Sequence, residues 1–155
     1  MKVSNLEVKQ LAELKTVACG HVGPYKGICA AFGKLAAWAG PRGLFTPDAV
    51  VLGIYHDCPE TTPEDQLRSD ACLTVKGEVA VDGEIRHYTV SGGKYAVVRV
   101  ELTMAEICEA WGKGYEMVVA EGLECDCRDH YELYLNNPGE SEDAVWIIDL
   151  CIPVK

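Results

Sequence analysis

Residues 28–34 read Ile28-Cys29-Ala30-Ala31-Phe32-Gly33-Lys34, and residues 107–113 read Ile107-Cys108-Glu109-Ala110-Trp111-Gly112-Lys113. The two stretches are 79 positions apart, and the offset holds outward from them without a gap. Gly43-Leu44 falls on Gly122-Leu123, Tyr55 on Tyr134, and Pro59 on Pro138. At the far end Asp70, Cys72 and Val75 fall on Asp149, Cys151 and Val154, and at the near end Lys15 falls on Lys94. These are 13 identities over the 61 positions 15–75. Unrelated residues match at roughly one position in seventeen, so about 3 or 4 would arise by composition alone. The excess, and its constant register, make the chain a duplication.

Each copy carries the same element pattern. A strand opens it, over 15–21 and 94–102, the second an alternating run of Tyr95, Val97, Arg99, Glu101 against Ala96, Val98, Val100, Leu102. A helix follows. The first begins after Gly23-Pro24 and stops near Gly40-Pro41. The second begins at Thr103, an N-cap residue with Glu106 placed three residues on to complete a capping box. Two strands then finish each copy, over 50–56 and 69–75 in the first and 130–135 and 144–154 in the second. The loops 59–67 and 136–143 correspond. Residues 77–90 form a connector with an extra strand over 84–90. The expected fold class is α+β: a tandem, pseudo-two-fold pair of β-α-β-β units forming an antiparallel sheet, two helices on one face and a ligand cleft on the other. Repeat one spans about 6–76, the connector 77–90 and repeat two about 91–155, all within one domain over 1–155.

With 155 residues, 48% hydrophobic and 25% charged, the composition is that of a folded globular domain. Twenty-four acids against 14 bases leave a net charge of −10, the wrong sign for neutralising phosphates, so no direct nucleic-acid binding is expected. No apolar run approaches the 18 residues that a membrane helix needs, and Met1–Glu7 has no hydrophobic core of a signal peptide. The expected location is the cytoplasm, with no membrane partner. In a reducing compartment the eight cysteines read as small, unpaired residues at core or face positions. Cys125, Cys127 and His130 lack a second Cys pair to complete four zinc ligands, so neither metal nor cofactor is expected.

Alternation along the strands assigns faces. In His130-Tyr131-Glu132-Leu133-Tyr134-Leu135 the apolar set Tyr131, Leu133, Leu135 is expected under the helices, with Glu132 and Tyr134 on the other face. The first copy in the same register puts Leu52 and Ile54 inward and Gly53 and Tyr55 outward. In the last strand Ile148, Leu150 and Ile152 are expected inward, with Ile147, Asp149 and Cys151 outward; Asp70 and Cys72 match the last two. The face left over mixes aromatic, apolar and acidic groups, as a small-molecule pocket does. Glu132 breaks the symmetry, since the first copy has Gly53 there.

Five stretches in order resemble a known family. They are His21-Val22-Gly23-Pro24-Tyr25, Ala31-Phe32-Gly33-Lys34-Leu35, Gly53-Ile54-Tyr55-His56-Asp57 with Arg68-Ser69-Asp70-Ala71-Cys72, Tyr131-Glu132-Leu133-Tyr134, and Asp149-Leu150-Cys151-Ile152-Pro153-Val154. Together they resemble the GyrI-like small-molecule-binding domain. It is the effector-binding domain of AraC-type and MerR-type multidrug regulators and also occurs alone in gyrase-inhibitory-like proteins. The resemblance implies SH2-like repeats and a cleft between them for lipophilic, often cationic aromatic compounds, with Glu132 pointing into it. It also implies a hydrolase of cyclopropanoid genotoxins as an alternative, with Glu132 and Tyr55 (or Tyr134) catalytic. Trp111 and Phe32 would be walls in either case.

The expected ligand-binding set is therefore Glu132, Tyr134, Tyr55, Gly53, Trp111, Phe32, Ile147, Asp70 and Asp149. The expected function is binding, sequestration or sensing of a lipophilic cationic aromatic molecule. A protein–protein module acting on gyrase or a regulator is the third reading.

Overall fold

A computed structural model of the chain describes residues 1–58, 60–139 and 141–155. Pro59, matched above to Pro138, and Glu140, within the expected loop 136–143, lie outside the described residues. The chain divides into two compact units, Glu13–Ser91 and Met1–Ala12 with Gly92–Lys155.

In the first unit β3 (Leu14–Val22) leads into a 3-10 turn (Tyr25–Ile28) and α1 (Cys29–Ala39), followed by β4 (Val51–Tyr55), β5 (Arg68–Thr74) and β6 (Ile85–Val90). All pairings are antiparallel: β3 lies between β5 and β6, and β5 between β3 and β4. The second unit repeats the plan with β7 (Gly93–Leu102), α2 (Ile107–Ala120), β8 (His130–Tyr134) and β9 (Trp146–Pro153). Here β9 lies between β7 and β8. The free edge of β7 is covered by β1 (Lys2–Val3) and β2 (Glu7–Leu11), the role that β6 plays for β3. The first eleven residues therefore complete the second copy's sheet, and the extra strand of the connector completes the first's. Covering these edges removes unpaired N–H and C=O groups.

The repeat is reproduced to the residue. Thr16 pairs with Thr74, and adding 79 to each gives the observed pair Tyr95 with Pro153. Leu52 with Cys72 likewise becomes Tyr131 with Cys151. The helices bury equivalent residues against their sheets, Ala31 and Ala39 in α1 and Ala110 and Val118 in α2. Between them Leu35 is matched by Gly114, whose missing side chain leaves room for Ile152 and Leu150. Thr103 and Glu106 form the expected capping box. Ile28 is buried, whereas its counterpart Ile107 is half-buried. Cys29 and Cys108 are exposed on their helices rather than in the core, because they lie on the sides turned from the sheets.

The expected strand faces need one correction. Antiparallel partners share a face, and Glu132 and Tyr134 lie opposite Leu150 and Ile148, which pack under α2. In the first unit Val51 and Tyr55 likewise pack with Ala71 and Leu73 beneath α1, and Gly53 lies opposite Ala71. Glu132, Tyr134, Tyr55 and Gly53 are thus on the helix side, and Tyr131, Leu133, Leu52 and Ile54 on the other. The expected faces of Ile148, Leu150, Ile152, Ile147, Asp149 and Asp70 stand. The misreading has a physical source: both sheet faces bury apolar side chains, with Leu52, Ile54, Cys72 and Tyr131 all at or below 1% exposure on the face away from the helices. When both faces are covered, polar–apolar alternation no longer labels the solvent side.

Candidate functional site

The most heavily organised group in the second unit is built around Glu132. The pairing of β8 with β9 aims its side chain at α2, and it is only 1% exposed. Trp111, near the start of α2, donates from Nε1 to Oε1 at 2.6 Å. The Tyr134 hydroxyl, two residues along the same face of β8, donates to Oε2 at 2.7 Å. A carboxylate out of water requires such donors, since desolvation without them costs several kcal/mol. Neither of these two donors carries charge: they fix the carboxylate's orientation and do not cancel its negative charge.

Aromatic rings extend the group in both directions. Tyr134 meets Trp146 edge-on with centroids 5.7 Å apart. Trp111 lies 5.8 Å from Tyr115, one helical turn on, at an interplanar angle of 33°. The Tyr115 hydroxyl is 2.9 Å from His130 Nδ1. Burial pushes the His130 ring below its ordinary pKa, against the opposing pull of the Asp126 backbone and the Asp129 charge.

The remaining expected site residues are placed differently. Asp149, on the face away from α2, is gripped by a guanidinium fork: Arg99 Nε to Oδ1 at 2.8 Å and Nη2 to Oδ2 at 3.1 Å. Ile147 is half-buried on that same face, so it does not border Glu132. In the first unit Asp70 is 1% exposed, with His56 Nε2 2.6 Å from Oδ2. Arg86 Nη2 lies 2.6 Å from Oδ1, out of line for a hydrogen bond. Burial alone would raise the Asp70 carboxyl, but His56 and Arg86 hold it below the usual carboxylate range. Tyr55 meets Tyr25 edge-on at 4.7 Å, Phe32 packs on the core beneath α1, and Gly53 is buried.

Of the expected set, then, Glu132, Trp111 and Tyr134 form one hydrogen-bonded group, while Asp70 and Asp149 each sit in their own unit's ion pair. Sequence reasoning passed over Tyr115, Trp146 and the arginines, and weighed His130 only as a zinc ligand. One signal for His130 was legible: it stands where the first copy has Val51, an ionisable ring in a core position. Among the described residues no cluster of three or more His, Cys, Asp or Glu could hold a metal, and no helix is long and apolar enough to cross a membrane.

Comparison with known proteins adds to this geometry. The family model described as the GyrI-like small molecule binding domain matches residues 4–155. "DNA gyrase inhibitor 2" of Dickeya dadantii is 33% identical over 144 residues, covering 88% of this chain and 90% of that protein. The "DNA gyrase inhibitor" of Escherichia coli K12 is 29% identical over 158 residues, 97% of each. Among solved structures the EcmrR C-terminal domain superposes with a TM-score of 0.76 at 16% identity, over 97% of both chains. SAV2435, solved bound to tetraphenylphosphonium, superposes with a TM-score of 0.65 at 17% identity, over 98% of this chain and 94% of that one.

Proposed function

Because the chain belongs to the GyrI-like small-molecule-binding domain family, we propose that it captures lipophilic cationic aromatic compounds and that Glu132 supplies the charge that selects them. The observation that carries this is a nearly fully buried carboxylate held by the hydrogen bonds of Trp111 and Tyr134. A delocalised organic cation has little hydration to lose, and a ring-lined carboxylate offers it both a counter-charge and π faces. The relative with tetraphenylphosphonium bound supports that ligand class as the first to try.

The test pairs tetraphenylphosphonium with triphenylphosphine oxide, a neutral molecule of similar rings, titrated at pH 8 by calorimetry. The cation should bind at least tenfold more tightly. Equal affinities, or binding of neither, would overturn the proposal.

A second reading follows from the names of the relatives at 33% and 29% identity: inhibition of gyrase by direct contact. A supercoiling assay with purified gyrase separates the two. Inhibition that survives loss of the Glu132 charge would assign the activity to another surface. Incubation with a cyclopropanoid, scored for ring-opened product, tests the hydrolase alternative, for which Tyr134 is the phenol already in contact with Glu132.

A further inference from the structure

His130, Glu132 and Tyr134 follow one another on the same face of β8, two residues apart at each step. That spacing puts the imidazole roughly 7 Å along the strand from the carboxylate that the proposed function assigns to a cationic ligand. The two are also joined through α2. His130 Nδ1 lies 2.9 Å from the Tyr115 hydroxyl, Tyr115 lies against Trp111, and Trp111 donates to Glu132. We propose that His130 is a positioning residue and proton-sensitive latch for this site: neutral, it holds Tyr115 and Trp111 in place, and protonated, it competes with a cationic ligand for the field of Glu132. The inference rests on the reading of Glu132 given above.

The chemistry follows from the ring. Neutral imidazole with a bare Nδ1 accepts the Tyr115 hydroxyl proton; a protonated ring presents N–H there instead, and the hydroxyl must turn. The tyrosine that flanks the indole is then released from its anchor. At the same time a positive charge arises within about 7 Å of Glu132 in a poorly hydrated setting. At an effective dielectric near 20, two like charges at about 8–10 Å repel enough to weaken a bound cation roughly tenfold or more. The ionisable groups around His130 are Tyr115 on α2, Glu132 on its own strand and Asp129 in the preceding loop, and the Asp126 backbone carbonyl accepts from the ring. On the β9 side its neighbours are Leu150 and Ile152, which pack with α2. Burial, the larger effect, opposes the proton, while the Asp126 backbone and the Asp129 charge favour it. The ring is consequently less basic than an ordinary imidazole, neutral at pH 7, and takes up its proton only in more acid solution. The duplication supplies a natural control, because the equivalent residue in the first copy is Val51.

The experiment is a pH series of tetraphenylphosphonium and triphenylphosphine oxide affinities from pH 8 down through the His130 midpoint, itself read by NMR, for the wild type, His130→Val and Tyr115→Phe. Wild-type affinity for the cation should fall about tenfold toward acid, while that for the neutral oxide changes less than threefold. His130→Val should flatten the cation's profile. Tyr115→Phe removes the hydroxyl but keeps the charge, and should retain most of the slope. Reciprocity requires that saturating cation lower the His130 titration midpoint, read by NMR. A second readout needs no ligand: the Trp111 indole N–H resonance should titrate together with His130 in the wild type and stay fixed in His130→Val. Identical profiles in wild type and His130→Val, or an indole resonance that ignores His130, would overturn the latch. Failure of the cation to bind at pH 8 would instead count against the proposed function, and the indole titration would still decide the latch.

Discussion

The buried carboxylates of the chain are held in two different ways, by guanidinium groups and by aromatic donors. Asp70 and Asp149 are matched by the 79-residue offset, and each faces an arginine: Arg99 from the adjacent strand β7 for Asp149, and Arg86 from β6, across the intervening β3, for Asp70. Glu132 is unmatched, and its hydrogen bonds from Trp111 and Tyr134 come from rings. Asp70 should therefore show itself in stability. Its carboxyl is held below the ordinary range, so the ion pair stabilises the fold above the unfolded-state pKa near 4, and that contribution is lost as pH falls through the lower folded-state value. Asp70→Asn should cost about 3 kcal/mol at pH 7, as for a buried pair losing one partner, and should unfold with less dependence on pH below about 4. Urea titrations at pH 7 and pH 3 measure both. A cost that is small at both values would mean that the carboxylate is solvated. At this scale the acids that the sequence singled out are the buried ones, and the partners of Asp70 were not legible. Arg86 and His56 are respectively 16 and 14 positions from Asp70, and no spacing announces them.

Among the elements, strand boundaries were legible and strand faces were not. The expected range 50–56 became β4 and 130–135 became β8, with pairing registers that the offset reproduces. The faces of β4 and β8 came out reversed because Tyr131 is buried and Leu133 half-buried on the side away from the helix, while Glu132 has partners on the helix side. An apolar residue marks burial, not which covered face buries it. The helices give a graded prediction. Ile28→Ala should cost roughly 2–5 kcal/mol as a buried truncation, and half-buried Ile107→Ala roughly half of that. Equal costs would mean that α2 packs more closely than its exposure shows. The start of β7 gives a sharper one. Gly93 has φ +134, and a β-carbon there would fall 2.1 Å from Arg128 Nη1. That guanidinium donates to the Gly92, Lys94 and Val154 carbonyls and lies over the Tyr95 ring. Gly93→Ala should lower stability by about 2–4 kcal/mol, from backbone strain and a displaced arginine together. Thermal unfolding of this variant beside Arg128→Ala tests the pairing, since two changes to one contact should add to less than their sum.

For the whole chain, the duplication was the most informative feature of the sequence, and it carried the fold class without any knowledge of side-chain contacts. It could not show that the first eleven residues complete the second copy's sheet, because β1 and β2 lie outside the matched span and carry mixed, mostly exposed side chains. Of the eight cysteines, Cys19, Cys72 and Cys151 are buried and the other five exposed. Burial pushes the Cys151 thiol up to about 12. A thiol reagent should accordingly modify five cysteines quickly in the folded protein at pH 8 and all eight after denaturation; early loss of more than five would contradict the placement of the buried three. Charge selection by Glu132 is decided by comparing wild type with Glu132→Gln, which keeps the shape of the side chain and removes its charge. Tetraphenylphosphonium and triphenylphosphine oxide are titrated into both proteins at pH 8. The substitution should weaken the cation by about 1.5–3 kcal/mol, the scale of an interaction with a charged group, and change the neutral oxide by less than about 0.5 kcal/mol. Equal losses for the two ligands, or no loss for the cation, would contradict charge selection.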